Sequence, residues 1–147
     1  MVKYLMCFLM STLLLNATGW HYNMDEAKKI ARQEHKYILL NFSGSDWCGP
    51  CIMMRKQILD DSAFLKMADT ALVMVNADFP RKRKDQLSAQ QQSMNNALAD
   101  QYNAEGKFPL TLLLNADGKV LKSWDGYPEI KPAVFAEQVR QIIDADK

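Results

Sequence analysis

Three features of the sequence predict an α/β fold built as one domain. Strand-like apolar runs alternate with helical ones in the order α, then β-α-β-α-β-β-α. Near the C-terminal end an Asp117-Gly118 pair separates two strand-like runs, which is a hairpin signal. The chain has 147 residues, 48% of them apolar, enough to bury a core without covalent staples, and neither a Gly/Ser-rich linker nor a fixed-period repeat divides it.

The elements follow in order. Asn23 with Glu26 three residues later forms a capping signature, and Ala27, Ile30 and Ala31 give an apolar stripe, so a helix is expected over about residues 24–36. Tyr37 to Phe42 is a short, mostly apolar run closed by Ser43-Gly44-Ser45, the pattern of a buried strand. From Cys48 to about Met67, Ile52, Met53, Leu59 and Leu65 are interleaved with Arg55, Lys56, Asp60 and Lys66, predicting a helix interrupted near Asp60. A second apolar strand covers Ala71 to Asp78. Residues 88–102 carry Met94, Ala97, Leu98 and Tyr102 at helical spacing in a polar, glutamine-rich background, as an amphipathic surface helix does. Leu110–Leu114 and Lys119–Trp124 flank the hairpin turn, and Pro132 suits the first turn of a last helix through Val134, Phe135, Val139, Ile142 and Ile143.

The N-terminus begins Met1-Val2-Lys3, continues with an apolar stretch from Tyr4 to Leu15 and reaches small residues at Ala17 and Gly19. About 12 apolar residues are too few to span a bilayer as a helix, which takes ~20, so residues 1–19 read as a signal peptide and residues 20–147 as the mature domain. An uncleaved membrane anchor is the competing reading. Cys7 lies inside the apolar run behind Leu5 and Met6, a poor context for lipidation. Cleavage leaves two cysteines three apart, Cys48 and Cys51, a spacing suited to chemistry rather than to stapling a fold.

A Cys-x-x-Cys pair opening a helix places both sulfurs on one face, where they can join. The first sulfur also lies beside backbone N–H groups that lack intrahelical partners, at the positive end of the helix dipole, and both favour thiolate. A free cysteine has a pKa near ~8.5, and sites of this kind fall to about 3.5–7.5. Cys48 is therefore the candidate nucleophile and Cys51 the candidate resolving thiol. Pro50 fits the first turn, where its missing N–H has no partner to lose, and Gly49 lets another backbone approach. Trp47, beside Cys48, either shields the sulfurs and meets substrate or simply packs.

Other uses of the pair lack parts. A zinc site needs four ligands, and only His21 and His35 accompany the two cysteines. Haem attachment wants histidine after the second cysteine, where Ile52 stands. A purely structural disulfide over so short a loop constrains the unfolded chain little. No metal or cofactor is expected. The net charge of +1 argues against nucleic acid, which a basic field would gather. The run Arg81-Lys82-Arg83-Lys84 either meets an acidic partner or anionic lipid, or is only solvated. Met53, Met54, Met67, Met74 and Met94 suit adaptable packing better than a copper site, and Trp20 and Trp124 suit the core or its rim.

Trp47-Cys48-Gly49-Pro50-Cys51 after a buried strand resembles the active-site motif of the thioredoxin family. Asn41 to Asp46, Asp78-Phe79-Pro80-Arg81, and Phe108-Pro109 followed by Leu112 to Lys119 resemble its exported bacterial branch, and the likeness covers roughly residues 20–143. The resemblance implies a three-layer α/β/α thioredoxin fold with a central mixed sheet and an extra N-terminal helix. It implies a protein-disulfide reductase cycling Cys48 and Cys51 between dithiol and disulfide, with an oxidase or isomerase, or a redox-inert adaptor, as the alternatives. Pro109 would be a cis-proline facing the redox centre and Phe108 a main-chain contact for substrate. Disulfide-bearing proteins would be the substrates of a periplasmic or otherwise extracytoplasmic monomer, recharged by a membrane thiol–disulfide electron donor. Two positions depart from the family pattern: Asn41 stands where a buried aspartate is usual, and Leu110 where threonine is usual.

Overall fold

The computed structural model describes residues 19–147; the apolar leader and Cys7 lie outside the described residues. The described elements are β1 (Trp20–His21), α1 (Met24–Glu34), β2 (Tyr37–Ser43), α2 (Gly49–Met54), a π-helical turn (Arg55–Leu59), α3 (Ser62–Ala71), β3 (Leu72–Asp78), a 3-10 turn (Arg83–Asp85), α4 (Ala89–Tyr102), β4 (Leu110–Leu114), β5 (Val120–Asp125) and α5 (Pro132–Asp146). The strands form one sheet in the order β1-β3-β2-β4-β5, parallel from β1 to β2 and antiparallel from β2 to β5.

The alternation of side chains along each strand sorts the core into two layers. Ile38, Leu40 and Phe42 of β2 and Val73, Val75 and Ala77 of β3 meet α1 and α4 through Met24, Ala27, Ala31 and Leu98. Leu39, Met74 and Leu113 face the other way and meet Met54, Ile58, Leu59, Phe64 and Phe135 from the π turn, α2, α3 and α5. The mixed sheet between two helical layers is the three-layer architecture that the family resemblance implies.

Local chemistry sets the boundaries. The Asn23 side chain accepts from the N–H groups of Asp25 and Glu26, and α1 ends at His35, which takes a left-handed φ of 54°. The interruption expected near Asp60 is present: the helix widens into the π turn, and Asp61 restarts it by accepting from Ala63 N–H at 2.9 Å. Three expectations are corrected. The two-residue strand β1 carries no readable period, yet it pairs with Met74 and Val75 at the sheet edge. In α4, Ala97 is exposed while Asn95 is buried, because the Asn95 amide donates to the Asp78 carbonyl at 2.8 Å and so can enter the core. Met53 and Val134 lie on solvent-facing sides of their helices.

Candidate redox site

The site forms where the C-terminal ends of β2 and β3 meet the start of α2. Cys48 caps α2 and Cys51 lies in its first turn; the two are joined in a disulfide with Cα atoms 5.2 Å apart. The Cys48 sulfur accepts the Cys51 backbone N–H at 3.3 Å, one of the donors that a helix start leaves unpaired. Both residues are nearly covered, at 5% and 2% exposure. Position in the helix, rather than exposure, sets the two sulfurs apart. Gly49 and Pro50 are exposed, and nothing lies within 4 Å of where a Cβ on Gly49 would stand.

Loops from distant parts of the chain meet beside the disulfide. Trp47 donates its indole N–H to the Phe79 carbonyl at 2.7 Å. Phe108 presents its ring edge-on to both Trp47 and Phe79, with centroids 5.5 Å away in each case. The Phe108–Pro109 peptide bond is cis and Pro109 is buried. A side chain on Gly44 would overlap the Trp47 indole, so glycine there is a condition for seating that ring. Thus Trp47 and Phe108, 61 positions apart in sequence, are brought together, and Phe79 joins them.

Behind Cys51 lies a cavity of about 160 Å³ lined by Asn41, Ser43, Asn76, Cys51 and Arg55 among others. Period two along β2 puts Asn41 on the same face as Leu39, under α2, and the register sets it opposite Asn76 and Thr111. Asn41 donates to the Asn76 oxygen at 3.3 Å and accepts from the Thr111 hydroxyl at 3.1 Å. The one Ser43 hydroxyl proton is shared between the Asp78 carboxylate at 3.0 Å and the Asn76 oxygen at 3.3 Å. The polar atoms are satisfied, yet the cavity walls carry no carboxylate. Leu110, the other departure from the family pattern, is 4% exposed in the core between the sheet and α1/α4. Its side chain is a packing element.

The loop after β3 closes the site's flank. The Asp46 carboxylate accepts the backbone N–H groups of Arg81 and Lys82 at 2.7–3.1 Å. Desolvation works to raise the Asp46 pKa, but these two N–H groups and the Lys82 charge outweigh it and hold the carboxyl below its ordinary value. The Arg81 guanidinium lies 3.6 Å from the centroid of the Trp47 ring. Sequence reasoning missed Asn76 and Thr111 as site residues, which the fold alone brings beside the motif. It also missed the role of Asp46, which adjoins the motif in sequence but meets its partners Arg81 and Lys82 only in the fold. Phe79 and Arg81 did carry a signal, the Asp78-Phe79-Pro80-Arg81 stretch. Among the described residues, no cluster of three or more His, Cys, Asp or Glu side chains could hold a metal ion, and no helix is long and apolar enough to cross a membrane.

Comparison with known proteins agrees with this architecture. The profile of the thioredoxin-like domain matches residues 24–143. The disulfide bond reductase DsbH of Chlamydia pneumoniae is 43% identical over 118 residues, covering 80% of this chain and 69% of DsbH. A solved structure described as DsbH oxidoreductase superposes with a TM-score of 0.77 at 35% identity, over 86% of this chain and 84% of that one. The thioredoxin-related protein DsbJ of the same organism is 24% identical over 127 residues; that is 86% of this chain but only 36% of DsbJ.

Proposed function

Since the chain belongs to the thioredoxin-like domain family, we propose that it works outside the cytoplasm as a reductase of protein disulfides. It is a thiol–disulfide oxidoreductase by homology with DsbH and by the disulfide between Cys48 and Cys51. The observation that carries the redox reading is the placement of that disulfide at the start of α2, where the Cys48 sulfur receives a helix N–H and is marked as the attacking one.

In the cycle, the Cys48 thiolate attacks one sulfur of a substrate disulfide and expels the other as thiolate, forming a mixed disulfide. Cys51 then loses its proton and attacks the Cys48 sulfur. The Cys48–Cys51 bond forms, the mixed disulfide breaks and the substrate leaves with both sulfurs reduced. Trp47, Gly49 and Pro50 shape the rim, and Phe108, joined by a cis bond to the buried Pro109, offers the main chain along which an extended substrate segment lies. A membrane thiol–disulfide protein returns the electrons. The leader pattern at residues 1–19 supports export, and the name of the DsbH relative and the Gly-Pro dipeptide between the cysteines support the reducing direction.

Equilibration of the Cys48/Cys51 couple with glutathione tests the direction. A reductase should lie near thioredoxin's potential, about −270 mV, rather than near the strong oxidants at about −120 mV. A value above about −180 mV reverses the assignment. A chain whose cysteines neither equilibrate with glutathione nor reduce insulin disulfides would instead be a redox-inert adaptor.

A further inference from the structure

The segment after β3 carries Arg81, Lys82, Arg83 and Lys84, all exposed, against Asp85 alone. Among the described residues, none of the four cations is ion-paired with a carboxylate. The loop is nonetheless held in place. Asp46 grips its first two N–H groups, Gln86 donates to the carbonyls of Pro80 and Lys82, and Arg81 is stacked on Trp47. Asp46 precedes Cys48 by two residues, so its Cα is within about 7.6 Å of the nucleophile's. Arg81 therefore lies on the aromatic rim of the redox site, and the backbone that carries Lys82, Arg83 and Lys84 is anchored beside it, with the Asp46 carboxylate within reach of the Lys82 charge.

Resting on the reductase reading, we infer that this loop is a docking surface for polypeptide substrates that carry aspartate or glutamate beside their disulfide. A disulfide has no charge by which it can be selected, so discrimination comes from the residues around it. A segment lying along Phe108 and Trp47 passes the loop, and acidic side chains there gain attraction without displacing an existing ion pair. The loop's order lowers the entropy lost on docking. A lipid surface fits less well, because none of the large exposed apolar residues, Tyr22, Met53, Val120 and Val134, belongs to this loop.

The experiment uses three peptides with the same disulfide ring, flanked by Asp, Ser or Lys, and a small uncharged disulfide as control. It compares the wild type with Arg83→Gln/Lys84→Gln and Arg83→Glu/Lys84→Glu. At about 0.01 M ionic strength, where screening acts over about 30 Å, the wild type should reduce the Asp peptide roughly tenfold faster in kcat/KM than the Lys peptide. The preference should vanish in the Gln variant, invert in the Glu variant and fade near 1 M salt, while the uncharged disulfide is reduced alike by all three proteins. Anisotropy of the same labelled peptides with serine in place of both cysteines reads binding without chemistry. If those peptides bind in the expected order but no disulfide is reduced, the reductase reading fails and the docking surface stands. Equal binding of the three peptides to the wild type, or an unchanged order in the Glu variant, overturns the surface. So does a loop that ranks no peptide yet retains phosphatidylglycerol vesicles through Arg83 and Lys84.

Discussion

Asn41 and Asn76 stand opposite each other on β2 and β3, and the Asn41 amide donates to the Asn76 oxygen at 3.3 Å in the wall of the cavity behind Cys51. Neither amide can accept the proton that Cys51 must lose to resolve a mixed disulfide. Asn41→Asp should place a base there and speed release of reduced substrate at neutral pH by up to about a hundredfold. Burial raises the pKa of such a carboxyl while Arg55 and Lys56 in the cavity lining and the Thr111 hydroxyl lower it; where burial wins, the folded variant binds more protons and its stability falls as pH rises. The cost should reach about 1–3 kcal/mol above the folded pKa. Stopped-flow decay of a trapped mixed disulfide and urea unfolding at pH 5 and pH 8 measure both; an unaltered decay rate would mean that the Cys51 proton leaves by a route this cavity does not serve.

That pair also marks where the sequence stops being legible. The asparagine in the strand before the motif stands out against the family pattern, but its partners Asn76 and Thr111 are neighbours only through the registers of β2 with β3 and β4. The strands after β1, the hairpin and the helix break near Asp60 follow from local patterns, because short apolar runs, an Asp-Gly turn and charged residues set among apolar ones act over a few residues. β1 is two residues long and has no period to read. Asn95 is polar in a core position, allowed there by a carbonyl 17 positions earlier. Asp46 looks like any loop aspartate until the chain returns 35 residues later to offer it two N–H groups.

Gly44→Ala should cost stability, because the new methyl group would overlap the Trp47 indole. The ring must then move off Phe108 and give up its 2.7 Å bond to the Phe79 carbonyl. Overpacking of this kind costs about 1–3 kcal/mol. Chemical denaturation gives the loss, and a change in tryptophan fluorescence with slower insulin reduction should accompany it. Full stability with an unmoved ring would refute the seating role of Gly44.

Asp46→Asn should weaken the acid-sensitive hold on the Arg81–Lys82 turn. A carboxyl whose folded pKa lies below its unfolded value stabilises the fold above the unfolded pKa, near ~3.9, and loses that contribution as pH falls through the folded one. The wild type should therefore exceed the variant in stability at pH 7, and the gap should close toward pH 2–3. Faster trypsin cleavage after Arg81 to Lys84 in the variant at pH 7.5 would report the loosened loop. A gap constant with pH would assign the effect to shape rather than charge.

The two cysteines should behave differently although their exposures are nearly equal, because only Cys48 caps α2 and receives a helix N–H on its sulfur, while Cys51 faces the carboxylate-free cavity. Cys48→Ser should abolish disulfide reduction. Cys51→Ser should keep the attacking thiolate and lose the resolving one, so that mixed disulfides accumulate on Cys48 and mass spectrometry identifies the trapped partners. The iodoacetamide reactivity of the Cys51→Ser protein should show a Cys48 pKa below the ~8.5 of a free thiol, within the ~3.5–7.5 range of thiolates at helix starts. If Cys48→Ser captures partners and Cys51→Ser does not, the roles are reversed, and the N–H on the Cys48 sulfur marks the oxidised state alone rather than the nucleophile.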